Sequence, residues 1–259
     1  MLQTGEVLLK LVRSLFLDEL LEEFERVKAN KTKLAAFHEK LAGLRFFDPA
    51  CGCGNFLVIA YRELRLLEIE ILKAMQGEKT VQRVMHIDAL LKLNVDQMYG
   101  IEIDEWPARI AEVAMWLVDH QMNQKVSEVF GEPVLRLPLT RSAHITHGNA
   151  LRIDWGNVLP AKNCGYLLGN PPFVGKAFMT DAQNADVEHV AGKLKGRGVL
   201  DYVTMWLPKG GGLHEEDGLP SGIRIEQFDY AGRAGGSHLA GTVATRGKDK
   251  LRAPDVLLA

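Results

Sequence analysis

The chain has 259 residues, 47% of them hydrophobic, which is enough apolar material to bury the core of one large domain or two modest ones. Its 31 Lys and Arg stand against 33 Asp and Glu, a net charge of −2, so the basic footprint of a free-standing nucleic-acid-binding domain is absent and any grip on a polyanion must come from a local patch or another region. Three cysteines make no disulfide framework and fit a reduced, cytoplasmic setting; no apolar run reaches the roughly 18 residues of a membrane span, and the opening Gln3, Thr4 and Gly5 do not read as a secretory leader.

Leu8, Leu9, Leu11, Val12, Leu15, Phe16, Leu20 and Phe24 recur at helical spacing and predict one amphipathic helix over residues 6–28. Ala29-Asn30 interrupts it, and a short helix is expected over residues 32–42. Residues 44–49 (LRFFDP) predict a buried strand running into a glycine-punctuated turn, followed by a helix over residues 55–75. Residues 76–97 are less regular. A second strand at residues 98–103 ends in acids, and Pro107, well suited to a first helical turn, opens a helix to residue 125. Residues 126–143, with Pro133 and Pro138, read as a loop; strands are expected at 144–147 and 166–168. Strands alternating with helices predict an α/β fold of Rossmann-like kind with a mostly parallel sheet. After Trp206 the glycines Gly210, Gly211, Gly212, Gly235 and Gly236 crowd in and periodicity stops. The expected organisation is an N-terminal helical segment (1–43), an α/β core (44–207) and a Gly-rich tail without an assigned fold (208–259).

In an open parallel sheet, ligands sit beyond the carboxyl ends of the strands, and the first strand-to-helix turn is the usual anchor. Asp48-Pro49-Ala50-Cys51-Gly52-Cys53-Gly54-Asn55-Phe56 occupies that turn. Gly52 and Gly54 allow positive φ and close approach of the backbone to a ligand, but Leu57 stands where a dinucleotide fingerprint has its third glycine. An acid at the strand end suits instead a ligand with an amino group, such as a methionine moiety. Cys51 and Cys53 have neither a second pair nor a nearby His, so a metal is not expected and they read as small turn residues. Glu102 closes the second strand where a carboxylate can accept from both ribose hydroxyls; the plainer reading is that Glu102, Asp104 and Glu105 favour the positive end of the next helix. Asn149, in His147-Gly148-Asn149-Ala150-Leu151, has the donor and acceptor needed to read the amino edge of adenine, or simply makes a turn.

The sharpest motif is Asn170-Pro171-Pro172-Phe173. An exocyclic amine conjugated to a base is a poor nucleophile because its lone pair is delocalised. Two acceptors, the Asn170 side-chain oxygen and the Pro171 carbonyl, would draw its hydrogens and aim the lone pair at a methyl donor. Paired prolines fix φ and hold that carbonyl, and Phe173 offers a face for an extruded base. The plain alternative is a strand stopped by two prolines beside a core Phe.

Together these runs resemble the ordered motifs of class I amino-methyltransferases acting on DNA. More narrowly, Phe46-Phe47-Asp48-Pro49-Ala50-Cys51-Gly52-Cys53-Gly54-Asn55-Phe56-Leu57, with Tyr61-Arg62-Glu63-Leu64-Arg65 after it and Leu200-Asp201-Tyr202-Val203-Thr204-Met205-Trp206 later, resembles the MmeI-like restriction-modification enzymes. The resemblance implies a methyltransferase fold with S-adenosyl-L-methionine as cofactor, held by Asp48, Pro49, Ala50, Gly52, Gly54, Asn55, Phe56, Glu102, Ile103, Asn149 and Ala150. It implies methylation of the N6 of adenine by Asn170, Pro171, Pro172 and Phe173, on double-stranded DNA gripped through a recognition domain not present here. Related readings are cytosine N4 or protein glutamine as acceptor, or a remnant that binds the cofactor and transfers nothing. Residues 1–5 do not preserve the family's upstream cofactor motif, and past Trp206 the likeness stops. The expectation is a truncated or frame-shifted gene, with residues 208–259 contributing no strand, exchanging amides early, and leaving the fourth strand at an open edge. The chain alone is then expected to be poorly soluble and inactive on DNA.

Overall fold

In the computed structural model, which describes residues 2–76, 87–134, 142–192, 201–206, 209 and 255–258, three helices precede the sheet: α1 (Leu2–Val12), α2 (Asp18–Val27) and α3 (Lys31–Gly43). The single helix expected over residues 6–28 is divided by a π-helical turn at Arg13–Leu17, which buries the adjacent Leu15, Phe16 and Leu17 together. Three consecutive inward residues are what a 3.6-residue period does not anticipate. α3 starts where the sequence breaks, because the Asn30 side chain accepts from the Lys33 amide at 3.0 Å.

Five strands form one parallel sheet in the order β3-β2-β1-β4-β5: β1 (Phe46–Asp48), β2 (Met98–Glu102), β3 (His144–His147), β4 (Tyr166–Gly169) and β5 (Asp255–Leu258). α4 (Asn55–Gln76) follows β1, α5 (Ile87–Leu90) precedes β2, α6 (Glu105–Phe130) follows β2, α7 (Trp155–Val158) lies between β3 and β4, and α8 (Asp181–Ala191) follows β4. α6 is longer at both ends than the 107–125 helix expected. It stops at Gly131, whose φ of +71° and amide bond to the Ser127 carbonyl (2.9 Å) make a left-handed C-cap.

β5 corrects the expectation that the tail supplies no strand and leaves β4 at an edge: Tyr166 pairs with Asp255 and Gly169 with Leu258. Its Asp-Val-Leu-Leu sequence has no alternation, so the half-buried strand period does not announce it. Residues 208, 210–254 and 259, on which the rest of that expectation falls, lie outside the described residues.

Successive strand residues face opposite layers. Phe46, Met98, Tyr166 and Leu168 pack with α1–α4 and α6, whereas Phe47, Ile101 and Leu167 pack with Trp155, Val187, Tyr202 and Trp206. Beneath the first layer a buried polar network ties three helices: His38 on α3 meets Glu68 on α4 at 2.8 Å, and Arg65 on α4 reaches Asp119 (3.0 Å) and Asn123 (2.9 Å) on α6. Among the described residues no helix is long and apolar enough to cross a membrane.

The strand order matters most for the site. The chain passes from β1 to β2 to β3 on one side and returns with β4 on the other side of β1, so the carboxyl ends of β1 and β4 form the topological switch point where such sheets open a ligand crevice.

Candidate functional site

Asp48 is the last residue of β1 and is fully buried, 1% exposed. Its Oδ1 accepts the Ala50 amide at 3.0 Å, while its Oδ2 is buried with no partner. Burial pushes the carboxyl up to about 7, against the lowering effect of the Ala50 bond, and Glu102 nearby pushes the same way. A buried carboxylate oxygen without a donor is costly, and a cationic group would remove that cost. The chemistry therefore fits the ammonium of a methionine-bearing cofactor.

The turn after Asp48 is shaped by two close approaches, of Gly54 to α6 and of Cys51 to β2. Gly54 has φ +81°, and a Cβ there would meet the Ala111 Cβ of α6 at 3.1 Å; Gly52 has φ +54° with open space where its side chain would be. Cys51 is buried, with its Sγ 2.8 Å from where a Cβ on Gly100 would sit, so it packs the β1–β2 joint; that same burial and the nearby carboxylates push its thiol up, away from reactivity. Among the described residues no group of three His, Cys, Asp or Glu is arranged to hold a metal ion.

Glu102 reaches across to this turn. Its Oε2 accepts the Gly52 amide (2.9 Å) and its Oε1 the Asp104 amide (3.0 Å). A carboxylate has about four acceptor sites, so one per oxygen is left for a pair of hydroxyls. Ile103 beside it is 56% exposed, an apolar side chain largely open to solvent, and Glu102's own carbonyl holds the Gly148 amide at 2.7 Å. Thus Asp48, Gly52, Gly54, Glu102 and the turn at residues 148–151 lie along the carboxyl ends of β1, β2 and β3. Of the other expected cofactor residues, Pro49 and Phe56 are buried, Ala50 is half-buried, Asn55 is exposed at the start of α4, and Ala150 is buried with its carbonyl held by the Trp155 indole N–H (2.8 Å). Asn149 is engaged on both sides: its Oδ1 accepts from the Leu151 amide and its Nδ2 donates to Asp186, each at 2.9 Å.

At the end of β4, Gly169 lies against Asp48, and a Cβ there would stand 2.8 Å from Asp48 Oδ1. The next residue is Asn170, exposed, followed by buried Pro171, exposed Pro172 and Phe173, which is 55% exposed. Phe173 is therefore not a core aromatic. The loop is fixed just beyond it: the Tyr202 amide donates to the Val174 carbonyl (3.0 Å) and the Lys176 amide to Asp201 Oδ1 (3.1 Å). Sequence reasoning assigned no role to Gly169, Asp186, Tyr202 or the 83%-exposed Phe178. The Thr180–Gln183 capping box is the one signal that would have announced α8 and with it Asp186.

The sequence pattern of the MmeI DNA-methyltransferase domain matches residues 24–219. The chain belongs to that family. A solved structure of the type IIL restriction-modification enzyme MmeI in complex with DNA is 56% identical, with a TM-score of 0.78 over 82% of this chain and 28% of that one. DNA methyltransferase A of Bacillus subtilis (strain 168) is 35% identical over 202 residues, 77% of this chain and 22% of that protein. The chain thus spans about a quarter of the length of these relatives. Membership in the MmeI methyltransferase family implies a methyl donor of the S-adenosylmethionine type.

Proposed function

We propose that this domain transfers a methyl group from S-adenosyl-L-methionine to the exocyclic N6 of adenine in double-stranded DNA, within a restriction-modification system. The observation that carries this reading is the contact between Asp48 and Gly169. It sets the buried carboxylate of Asp48, whose Oδ1 faces Gly169 and whose Oδ2 has no hydrogen-bond partner among the described residues, beside the strand end that presents Asn170.

In this reading Asp48 holds the cofactor's ammonium, Glu102 the ribose hydroxyls, and exposed Ile103 one face of the adenine. The bound cofactor supplies an electrophilic methyl on a sulfonium. Everything else is positioning. The Asn170 side-chain oxygen and Pro171 carbonyl accept the two amine hydrogens, which localises the nitrogen lone pair, and Phe173 stacks on the extruded base. Residues 1–43, 44–207 and 208–259 act as helical support, catalytic core and tail, and sequence-specific contact with DNA falls to polypeptide of the kind that makes up the rest of the relatives.

The test is transfer from tritiated cofactor to duplex DNA and, in parallel, to a glutamine-bearing peptide, with the modified residue identified by mass. N6-methyladenine is expected from the core joined to a recognition domain. N4-methylcytosine or methylglutamine would overturn the adenine assignment, and cofactor binding with no acceptor methylated would make the domain a binding remnant.

A further inference from the structure

Asp186 on α8 is buried, yet it lies in neither the cofactor turn nor the 170–173 loop. Its carboxylate accepts three hydrogen bonds from two parts of the chain, the turn after β3 and Tyr202. Asn149 Nδ2, from the turn after β3, donates to Oδ2 at 2.9 Å; Arg152 Nε donates to Oδ1 at 2.6 Å; and the Tyr202 hydroxyl donates to Oδ2 at 2.8 Å. Burial alone would raise the carboxyl, but these three donors hold it below the usual carboxylate range, so it is an anion wherever the protein is folded at neutral pH.

The outer ends of these bonds define the role. Asn149 and Ala150 form the turn that Glu102's carbonyl holds beside the cofactor crevice. Tyr202 uses its own amide to hold the Val174 carbonyl, one residue beyond Phe173, while Asp201 holds the Lys176 amide. One carboxylate therefore stands between the cofactor's adenine-side turn and the root of the base-holding loop, with two hydrogen bonds from the turn and one from Tyr202, whose own amide reaches the loop backbone.

Resting on the cofactor reading above, we propose that Asp186 is a positioning residue that couples the two halves of the site: occupancy of the cofactor crevice orders the 174–178 loop root through Asn149, Asp186 and Tyr202. A purely structural carboxylate would stabilise both regions whether or not cofactor is present. A coupling residue makes the state of the loop depend on the cofactor, and by thermodynamic reciprocity makes cofactor affinity depend on the loop.

The experiment is amide hydrogen exchange on the 259-residue chain with and without S-adenosylhomocysteine, which fills the crevice and donates no methyl. In the parent chain the nucleoside should slow exchange at residues 50–55 and also at residues 174–178, by roughly fivefold or more, the lower end of ordinary coupling between sites. In D186A the response at 50–55 should persist and that at 174–178 should vanish. Y202F leaves the Asn149 and Arg152 bonds to Asp186 intact and should lose the same loop response, so it decides the matter should D186A fail to fold. A loop response retained in both variants, or a parent loop indifferent to a nucleoside that protects residues 50–55, would overturn the coupling. No protection at residues 50–55 in the parent would instead remove the cofactor reading, and this proposal with it.

Discussion

The two halves of the crevice are built differently. Along the ends of β1, β2 and β3 nearly every polar group is already bound: Glu102 holds two amides, its carbonyl holds a third, and Asn149 is engaged on both sides. At the end of β4, Asn170 and Phe173 are exposed, and among the described residues the hydrogen bonds that tie the loop carrying them lie beyond Phe173. The cofactor half is preorganised, whereas the acceptor half presents its groups and waits for a base. Loss of an acceptor-half residue should therefore affect transfer and leave cofactor binding, and loss of a cofactor-half residue should affect binding first.

The largest effect should come from Asn170. N170A in a transfer-competent form of the domain should abolish methylation while cofactor affinity, read by titration calorimetry, stays within about twofold, a change of under ~0.5 kcal/mol. Equal loss of both would make the loop a structural element of the cofactor seat and erase the distinction between the halves. Glu102 sharpens the comparison from the other side. E102A removes charge-assisted bonds worth about 1.5 to 3 kcal/mol, so affinity for the cofactor should fall roughly tenfold to a hundredfold. Because Glu102 also tethers Gly52, part of that loss would come from a looser turn, and exchange at residues 50–55 in the absence of cofactor would reveal that part.

Phe173 should have a smaller effect, confined to the base. F173A should weaken binding of an extruded adenine by about 1 to 3 kcal/mol, and a duplex with a mismatch at the target, where extrusion is easier, should separate mutant from parent less by unpairing than by stacking. Identical affinities of the two proteins for both duplexes would remove the stacking role.

These residues also show how far the sequence could be read. Strand ends and glycine turns were legible because a short apolar run followed by Gly-x-Gly, or by Asn-Pro-Pro, has few structural meanings. Asp48, Glu102 and Asn170 could be placed on strand ends for that reason. What could not be read are pairings between residues far apart in the chain. Nothing about Glu102 announces that Gly52, 50 residues earlier, donates to it; nothing about Asn149 announces that its amide is spent on Asp186, 37 residues later. The π turn at Arg13–Leu17 and strand β5 escaped for a different reason: each departs from the single period by which helices and half-buried strands are recognised. The end of α6 was signalled by Gly131, but the prolines nearby drew the expected boundary too early.

The central claim is that the ammonium of S-adenosylmethionine seats on Asp48 at the β1–β4 switch point, and its pH dependence tests it most directly. With its carboxyl raised to about 7 by burial, Asp48 of the folded chain keeps its proton over a range in which the unfolded chain, near 3.8, has lost it. This group's contribution to stability is therefore full below about pH 4 and is lost as pH rises to about 7. Cofactor binding runs the other way, because an ammonium needs the ionised carboxylate. Calorimetric titration of the chain with S-adenosylhomocysteine, which carries the same ammonium, should show affinity rising by up to about tenfold per pH unit from pH 5 to pH 7 and levelling above it, with D48N weak and flat throughout. An affinity independent of pH over that range in the parent, or a D48N variant that binds as the parent does, would contradict the account.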